Sequence, residues 1–219
     1  MRNQISKEQS LLHQWAPKPE PILEIENRLK IDHRLGINID SMEGLFLRAL
    51  CLQPHVEKVV EIGTQYGCST TWMAMGLKSK GIIYTCEQDE KCIAAAKKTF
   101  TQSSFLETGC RVELLEGPAL ESLPKISAKG PFDLIFIDAN KSGYLDYYHW
   151  AKDHLKSGGY LIADNVFLFG HMFHPDRVDA KHEKMLKVMQ DFYQALFSNP
   201  EFCTSMIPTA EGMLFAVKS

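Results

Sequence analysis

Acidic and amide side chains stand directly after two apolar runs of this 219-residue sequence. Asp138 follows Phe-Asp-Leu-Ile-Phe-Ile, and Asp164 with Asn165 follows Tyr-Leu-Ile-Ala. If both runs are neighbouring parallel strands, their carboxyl ends lie at one edge of a sheet and these side chains converge. Oxygen ligands without an adjacent cysteine or histidine suit Mg²⁺. We therefore predict a divalent-cation site that binds two neighbouring substrate hydroxyls and eases the deprotonation of one.

Lys141 follows Asp138 in the segment Asp-Ala-Asn-Lys, on the turn that enters the next predicted helix. Beside a cation the ammonium form of a lysine is disfavoured, so Lys141 could act as a general base toward a metal-bound hydroxyl. The alternative for Lys141 is an ordinary solvated lysine. The alternative for the predicted ligands is that Asp and Asn at strand ends only cap the helices that follow.

A second candidate site is the stretch Val-Val-Glu-Ile-Gly-Thr-Gln-Tyr-Gly-Cys-Ser-Thr, residues 59–70. It predicts a buried strand, a glycine loop around Gly63, and a helix that Ser69 or Thr70 caps. The spacing Glu-x-Gly-x-x-x-Gly differs from the Gly-x-Gly-x-x-Gly of dinucleotide sites. Glu61 would repel a pyrophosphate but could bind the amino group or sulfonium region of S-adenosylmethionine. A glycine turn in some other α/β unit is the alternative.

Glu87 ends the next apolar run, residues 82–86. In nucleoside-binding α/β folds, a carboxylate about 20 residues beyond the glycine loop accepts hydrogen bonds from the ribose hydroxyls. The alternative is that Glu87 belongs to the negative charge before the helix predicted over residues 91–100. With the glycine loop upstream, we favour ribose binding.

Strands that alternate with helices must position these groups, which predicts an α/β fold with parallel pairing and ligands at the carboxyl ends of the strands. We expect loop 36–40 to lead toward the mouth of the cofactor site and turn 116–119 to lie near the adenine. The predicted strands are 59–62, 82–86, 111–115, 132–138 and 160–164, and the predicted helices are 22–35, 41–52 with Ser41 as its cap, 69–77, 91–100 and 144–155.

Composition favours small-molecule chemistry. The formal charge is -3 and the pI is near 6.2, which gives no basic surface for nucleic acid or a membrane. No apolar run approaches the ~20 residues of a bilayer span, and six cysteines lack Cys-x-x-Cys spacing, so we expect a cytoplasmic protein with reduced thiols. We expect one domain over residues 22–219, with residues 1–21 as an arm in which Pro17, Pro19 and Pro21 favour extended structure.

Five segments together resemble the cation-dependent O-methyltransferases, the family of caffeoyl-CoA and catechol O-methyltransferases. They occur in the family's order and cover most of the chain from about Ile39 onward. These segments are residues 59–70, Glu-Gly-Pro-Ala-Leu at 116–120, residues 132–148, Gly-Gly-Tyr-Leu-Ile-Ala-Asp-Asn-Val at 158–166, and Glu-Gly-Met-Leu-Phe-Ala-Val-Lys at 211–218.

The resemblance implies a Rossmann-like class I methyltransferase: a seven-stranded, mostly parallel sheet with helices on both faces and an antiparallel last strand. It implies S-adenosylmethionine as donor, S-adenosylhomocysteine as product, Mg²⁺ or a similar cation, a vicinal-diol aromatic acceptor and a homodimer with contacts from helices in residues 22–55. Asp138, Asp164 and Asn165 take the metal-ligand roles, and Lys141 acts with Asp138 in catalysis. The cofactor-binding residues are Ile39, Glu61, Gly63, Gln65, Ser69, Glu87, Gly117, Ala119 and Asp138.

The sequence departs from the family pattern at two places. Asn140 stands where the family usually has aspartate, and residues 166–170 lack the tryptophan that many members have after Asp-Asn. The second change alters the acceptor wall, where the apolar residues Phe167, Phe169, Met172 and Phe173 could cover an aromatic ring, pack on their own core or form a dimer contact. Two other functions remain: a cofactor-binding protein of this fold without chemistry, and a metal-dependent phosphoester hydrolase.

Overall fold

A seven-stranded sheet forms the centre of the computed structural model, which describes residues 11, 14–16, 18–77, 79, 81–174 and 180–219. The strand order is β3-β2-β1-β4-β5-β7-β6. All pairs are parallel except those that β7 makes with β5 and with β6, so β7 alone runs against the others. The strands are β1 (Lys58–Ile62), β2 (Ile82–Glu87), β3 (Arg111–Glu116), β4 (Phe132–Ile137), β5 (Leu155–Asp164), β6 (Phe202–Ile207) and β7 (Met213–Lys218).

Eight α-helices among the described residues flank the sheet. Short 3₁₀ turns at Ser127–Lys129, Lys141–Gly143 and Leu168–Gly170 complete the elements. The helices are α1 (Glu20–Ile31), α2 (Ser41–Cys51), α3 (Cys68–Gly76), α4 (Glu90–Phe100), α5 (Ser103–Leu106), α6 (Ala119–Ile126), α7 (Tyr144–His154) and α8 (Ala180–Phe197).

The register of the sheet aligns the carboxyl ends of its central strands. Ile62 at the end of β1 pairs with Cys86 of β2 and with Ile137 of β4, and Ile137 in turn pairs with Ala163 of β5. The residues that follow these strands therefore lie along one edge. The predicted α/β fold, with its antiparallel last strand, is confirmed.

Two apolar cores lie on the two sides of the sheet. One side packs against α6, α7 and α8, with the fully buried Tyr144 and Phe192 in edge-to-face contact at a centroid distance of 5.7 Å. The other side packs against α1 through α4 around the buried Trp72. A Cβ on Gly44 of α2 would lie 2.3 Å from the indole of Trp72, so this glycine allows α2 and α3 to approach closely.

The N-terminal helices differ from the prediction at their ends. α1 stops at Ile31 rather than at residue 35, because the backbone turns left-handed at His33 (φ 54°) and Gly36 (φ 90°). The predicted cap Ser41 of α2 is wrong. Asp40 is the cap: its side chain accepts from the Glu43 backbone, and the Glu43 side chain accepts from the Asp40 N–H, which forms a capping box.

The N-terminal arm is helical where the structure describes it before the prolines. Residues 11, 14 and 15 have helical backbone. The prediction of extended structure concerns the prolines, and it is wrong for Pro21, which lies in the first turn of α1. Proline restricts only its own φ and the residue before it, and residues 11–15 contain none. Pro19 is extended and precedes α1 directly. The remaining residues of the arm, 1–10, 12, 13 and 17, lie outside the described part of the chain.

The helices of the described ranges include none that is long and apolar enough to cross a membrane.

Candidate active site

A cavity of about 530 Å³ opens at the carboxyl edge of the sheet, within the size range of small-molecule sites. Its walls come from the loop before α2, the glycine loop after β1, the end of β2, the turn after β3 and the segment after β4. α7 and α8 add one side chain each, Tyr147 and Met185.

Most of the predicted site residues lie on this cavity. Glu61 and Asp164 do not line it: both are fully buried at the ends of their strands. The predicted residues that line it are Ile39, Gly63, Gln65, Ser69, Glu87, Gly117, Ala119, Asp138, Lys141 and Asn165.

The glycine loop joins the cofactor side of the cavity to the predicted metal side. Gly63 has φ 105°, and a Cβ there would lie 2.1 Å from the backbone oxygen of Asp138. The Gly63 N–H donates to the carbonyl of Cys86 at 3.0 Å, and the Asp138 N–H donates to the carbonyl of Ile62 at 2.9 Å. Only glycine allows this contact between the ends of β1 and β4.

Ser69 and Thr70 do not cap α3, so this prediction is wrong. The cap is Gly67 in left-handed conformation (φ 81°), and it makes no side-chain hydrogen bond. The hydroxyls of Ser69, Thr70 and Thr85 instead donate to the carboxylate of Glu61. A buried carboxylate attracts these donors more strongly than the solvated end of a helix does.

Glu61 therefore lies behind the cavity wall, and Ser69 stands between it and the cavity. Burial raises the pKa of Glu61 to about 7, although the three hydroxyl donors oppose this shift. The direct contact with a cofactor that the resemblance implies for Glu61 stays a prediction. The geometry shows that Glu61 orients Ser69, which does line the cavity.

Glu87 is oriented by backbone donors at the tip of β2. One carboxylate oxygen accepts from the N–H of Gln65 at 2.7 Å, and the other accepts from those of Gln88 and Asp89 at 2.8 and 2.9 Å. A carboxylate has about four acceptor positions, so capacity remains for a ligand hydroxyl. Asp89, rather than Glu87, caps the following helix α4.

Lys141 is buried among oxygen atoms at the predicted metal site. Its Nζ lies 3.6 Å from Asp138 Oδ1 and 3.3 Å from Asn165 Oδ1, and it donates to the carbonyl oxygen of Asp164 at 3.1 Å. Its Nζ also donates to the hydroxyl of Tyr144. Lys141 is only 8% exposed, so the alternative of a solvated lysine is wrong.

Tyr144 positions Lys141, because its hydroxyl accepts a hydrogen bond from Nζ. The hydroxyl of Tyr144 donates to the carbonyl oxygen of Asp164 at 2.8 Å, and burial raises the pKa of this phenol well above its usual range. The sequence analysis assigned Tyr144 no role. Its position one helical turn after Lys141 was the available signal.

The donor set fits a divalent cation by its chemistry. Asp138 and Asp164 supply carboxylates and Asn165 an amide oxygen, at the ends of the adjacent strands β4 and β5. Asn165 Nδ2 donates to Asp164 Oδ2 at 3.2 Å, which directs the amide oxygen toward Lys141 and the cavity.

Asn165 has φ 53°, a strained conformation that asparagine tolerates better than most residues. Within the described ranges, histidine, cysteine and acidic side chains form no cluster of three or more suited to a metal, so the site depends on the amide.

Phe167, in the loop after β5, packs against its own loop and the segment before β7, and it does not line the cavity. A Cβ on Gly212 would lie 2.5 Å from the ring of Phe167, and Phe167 contacts Phe173 edge to face at 4.9 Å between centroids. Phe173 is 60% exposed and lies outside the cavity lining. For Phe167, the alternative that this loop packs on its own core is therefore the one that the structure shows.

Comparisons with known proteins find related sequences and related structures. The O-methyltransferase family profile matches residues 19–219. A catechol O-methyltransferase of Niastella koreensis is 35% identical over 137 residues, 62% of this chain and 61% of the relative, so the match spans about three-fifths of that protein. A caffeoyl-CoA O-methyltransferase of Eucalyptus globulus is 28% identical over 91% of this chain and 82% of its own length.

Solved structures share the fold over nearly the whole chain. The O-methyltransferase from Bacillus cereus, solved in complex with SAH, superposes with a TM-score of 0.84 and 28% identity, over 95% of this chain and 97% of its own. The family profile covers the sheet, the cavity and each predicted site residue. The chain therefore belongs to the O-methyltransferase family.

Proposed function

We propose that this protein is an S-adenosylmethionine-dependent O-methyltransferase that requires a divalent cation and methylates a hydroxyl of a catechol-like aromatic compound. The observation that carries the proposal is the buried Lys141 ammonium, which lies among the oxygens of Asp138, Asp164 and Asn165 at the edge of a cofactor-sized cavity. A protein that only bound the cofactor would have no need for this cluster.

The cofactor would extend along the cavity from the turn after β3 to the start of α3. Glu87 has acceptor capacity for the ribose hydroxyls, and Gly117 and Ala119 border the space proposed for the adenine. Ile39 and Ser69 border the opposite end, where the amino-acid part would lie. The SAH complex of the related Bacillus cereus enzyme supports this cofactor.

Asp138, Asp164 and Asn165 would hold the cation through their oxygen atoms. A divalent cation at this position would favour the ionised form of an acceptor hydroxyl. The Nζ of Lys141 lies beside the same oxygens of Asp138 and Asn165. The positive charge of a cation there would disfavour the ammonium form of Lys141 and favour its neutral amine. A neutral amine can accept the proton of the acceptor hydroxyl.

Lys141 would accept this proton at Nζ while its neighbours keep the amine in position. The Tyr144 hydroxyl and the Asp164 carbonyl accept hydrogen bonds from Nζ, and its third hydrogen bond goes to Asn165 Oδ1 on the cavity side. Bound S-adenosylmethionine would supply the methyl group for transfer from its sulfur to the acceptor oxygen, with S-adenosylhomocysteine as the product. Positioning matters most here, because the sulfonium loses its charge during transfer.

The acceptor class rests on the relatives and on the cavity wall. Relatives are named for catechol and caffeoyl-CoA, both methylated by enzymes of this family. The cavity wall also carries Tyr147 and Met185, an aromatic and a flexible apolar side chain suited to a planar ring.

Methyl transfer to a panel of catechols and caffeoyl esters tests the proposal. Mass spectrometry should detect a product 14 mass units heavier with Mg²⁺, and EDTA should remove it. Product that persists in EDTA would overturn the cation requirement. Binding of S-adenosylmethionine without product on any vicinal diol would instead favour the cofactor-binding protein without chemistry, and phosphoester cleavage without cofactor binding would favour the hydrolase.

A further inference from the structure

The end of α1 contacts the glycine loop through one buried side chain. Tyr66 lies in that loop, between Gln65, which lines the cavity, and Gly67, the cap of α3, and it is 4% exposed. Its hydroxyl donates to Oδ2 of Asp32, the C-cap of α1, at 2.5 Å. This hydrogen bond, together with burial, raises the pKa of Tyr66 to about 12, so the phenol remains the donor at neutral pH.

The backbone of Tyr66 is bound to the same helix through Thr99 of α4. Thr99 Oγ1 donates to the carbonyl oxygen of Tyr66 at 2.6 Å. Arg28 Nη2 in turn donates to Thr99 Oγ1 at 2.6 Å, and its Nη1 donates to the carbonyl oxygen of Ala95 at 3.1 Å. Arg28 and Asp32 are four residues apart, so they lie on one face at the end of α1. Tyr66 is therefore bound to that face at both its side chain and its main chain.

A third contact joins the segment after α1 to the first turn of α4. Arg34 Nη1 donates to Sγ of the buried Cys92 at 3.2 Å. The N–H of Cys92 donates to Asp89, the cap of α4, at 2.8 Å. This cap lies two residues after Glu87, the carboxylate that would bind the ribose. Residues 28–34 thus bind both the glycine loop and the helix that follows the ribose side of the cavity.

Tyr66 is adjacent in sequence to a hydrogen bond that orients Glu87. The N–H of Gln65 donates to Glu87 Oε2 at 2.7 Å, and Gln65 has φ 50°, a conformation that residues other than glycine rarely adopt. Such a backbone persists only where its surroundings determine it. The two hydrogen bonds of Tyr66 restrict the next residue of the chain, and they therefore help to direct the Gln65 N–H at Glu87.

We propose that Tyr66 and Asp32 are positioning residues of the cofactor site. Through them the end of α1 keeps the glycine loop in the shape that presents the Gln65 N–H to Glu87, and this shape sets the affinity for the ribose of S-adenosylmethionine. Neither Tyr66 nor Asp32 lines the cavity, so both act through Gln65 and Glu87. The inference rests on the proposed function and gives α1 a part in cofactor binding.

Calorimetry with S-adenosylhomocysteine and steady-state kinetics with a catechol test the inference. Tyr66→Phe removes only the hydroxyl, and S-adenosylhomocysteine should bind about fivefold more weakly, because hydrogen bonds to charged groups are strong. KM for S-adenosylmethionine should rise by a similar factor. The kcat should stay within about twofold of the wild-type value, since the groups around Lys141 are unchanged.

Variants of Asp32 test the identity of the partner. Asp32→Asn keeps an acceptor oxygen and should bind S-adenosylhomocysteine within about twofold of wild type. Asp32→Leu removes the acceptor and should match Tyr66→Phe. The double variant Tyr66→Phe with Asp32→Leu should lose no more affinity than either single variant, because both substitutions remove the same hydrogen bond.

Tyr148→Phe is the matched control on the other side of the sheet. Tyr148 is 2% exposed, and its hydroxyl donates to the carbonyl oxygen of Ala195 at 3.3 Å and accepts from Asn199 Nδ2 at 3.0 Å. This variant should lose stability without a change in cofactor affinity. Hydrogen exchange of the Gln65 amide, measured by nuclear magnetic resonance, should accelerate in Tyr66→Phe and stay unchanged in Tyr148→Phe.

Each contrary result has a distinct meaning. Wild-type affinity in a folded Tyr66→Phe variant, or an equal loss of affinity in Tyr148→Phe, would overturn the inference and leave the Tyr66–Asp32 bond a role in stability alone. Additive losses in the double variant would overturn the pairing of Tyr66 with Asp32. Wild-type protein that fails to bind S-adenosylhomocysteine would overturn the proposed function itself, and the inference with it.

Discussion

Two buried charged groups lie at the ends of neighbouring strands, and their surroundings differ. Glu61 at the end of β1 is surrounded by neutral donors, the hydroxyls of Ser69, Thr70 and Thr85. Lys141, after β4, lies among carboxylate, amide and carbonyl oxygens that include those of Asp138 and Asn165. Burial without an opposite charge raises the pKa of Glu61 to about 7.

The difference teaches what each group can do. Neutral hydroxyls bind Glu61 whether its carboxyl group is ionised or protonated. This arrangement suits a structural residue that orients Ser69 in the cavity wall. The Lys141 cluster contains charges of both signs. A divalent cation could therefore replace the positive charge of the Lys141 ammonium there, and Lys141 could release its proton. We therefore expect changes at the Lys141 cluster to affect turnover, and changes at Glu61 to affect stability and its pH dependence.

The largest expected effect is on cation binding. Asp138→Ala and Asp164→Ala each remove a carboxylate from the cluster, and activity with Mg²⁺ should fall roughly 10³-fold or more. Binding of Mn²⁺, measured by electron paramagnetic resonance, should weaken in parallel, while S-adenosylhomocysteine still binds the folded Asp164→Ala variant. Asp146→Ala removes an exposed carboxylate of α7 and serves as the control. Variants with normal Mn²⁺ affinity would contradict the assignment of the ligands.

Lys141→Met should lower kcat by roughly 10² to 10³, because it removes the general base but keeps most of the side-chain volume. The dissociation constant for S-adenosylhomocysteine should remain unchanged, and Lys98→Met, on the exposed face of α4, should retain full activity. Tyr144→Phe should cause a smaller loss, since Lys141 keeps its other partners. Full activity in Lys141→Met would remove the proposed base.

Gly63→Ala tests the contact between the two regions. The added Cβ meets the Asp138 backbone and the residue must adopt φ 105°, so the free energy of unfolding should fall by about 4 kcal/mol. Gly158→Ala is the matched control, because Gly158 also has positive φ (76°) but no atom lies within 4 Å of its Cβ position. Equal losses in the two variants, measured by urea unfolding, would show that backbone strain alone accounts for the effect.

The smallest expected effect concerns pH. The pKa of Glu61 is raised in the folded protein to about 7, so the folded state holds its proton more tightly than the unfolded state does. The contribution of Glu61 to the free energy of unfolding therefore falls by about 3 kcal/mol as the pH rises from 4 to above 7.

Glu61→Gln should remove this dependence, so its stability relative to wild type should increase with pH in urea unfolding. Glu57→Gln changes an exposed carboxylate just before β1 and should show no such trend. A constant difference between Glu61→Gln and wild type across this pH range would mean that Glu61 remains ionised throughout.

The sequence predicted the positions of the strands and the convergence of Asp138, Asp164 and Asn165, because both follow from local patterns. Apolar runs define strands, and parallel pairing brings their carboxyl ends to one edge. The position of Lys141 at the same edge was predicted too, since Lys141 follows Asp138 on the adjoining turn.

The partners of individual polar groups could not be predicted in the same way. Ser69 and Thr70 have the sequence position of helix caps, yet they bind Glu61, because Thr85 from another strand completes a buried set of donors there. The side chain of Asn38 likewise lies beside Cys68, which is distant in sequence and adjacent in space. Such contacts depend on the tertiary fold, which short-range patterns do not encode.

The left-handed backbone of Asn165 (φ 53°) has a consequence for directed evolution. Few residue types tolerate this conformation, and of these only aspartate also offers a side-chain oxygen. Saturation at position 165 should therefore yield almost no active clones. Libraries that aim to change the accepted substrate belong at Tyr147 and Met185, where side chains reach the cavity from helices with ordinary backbone.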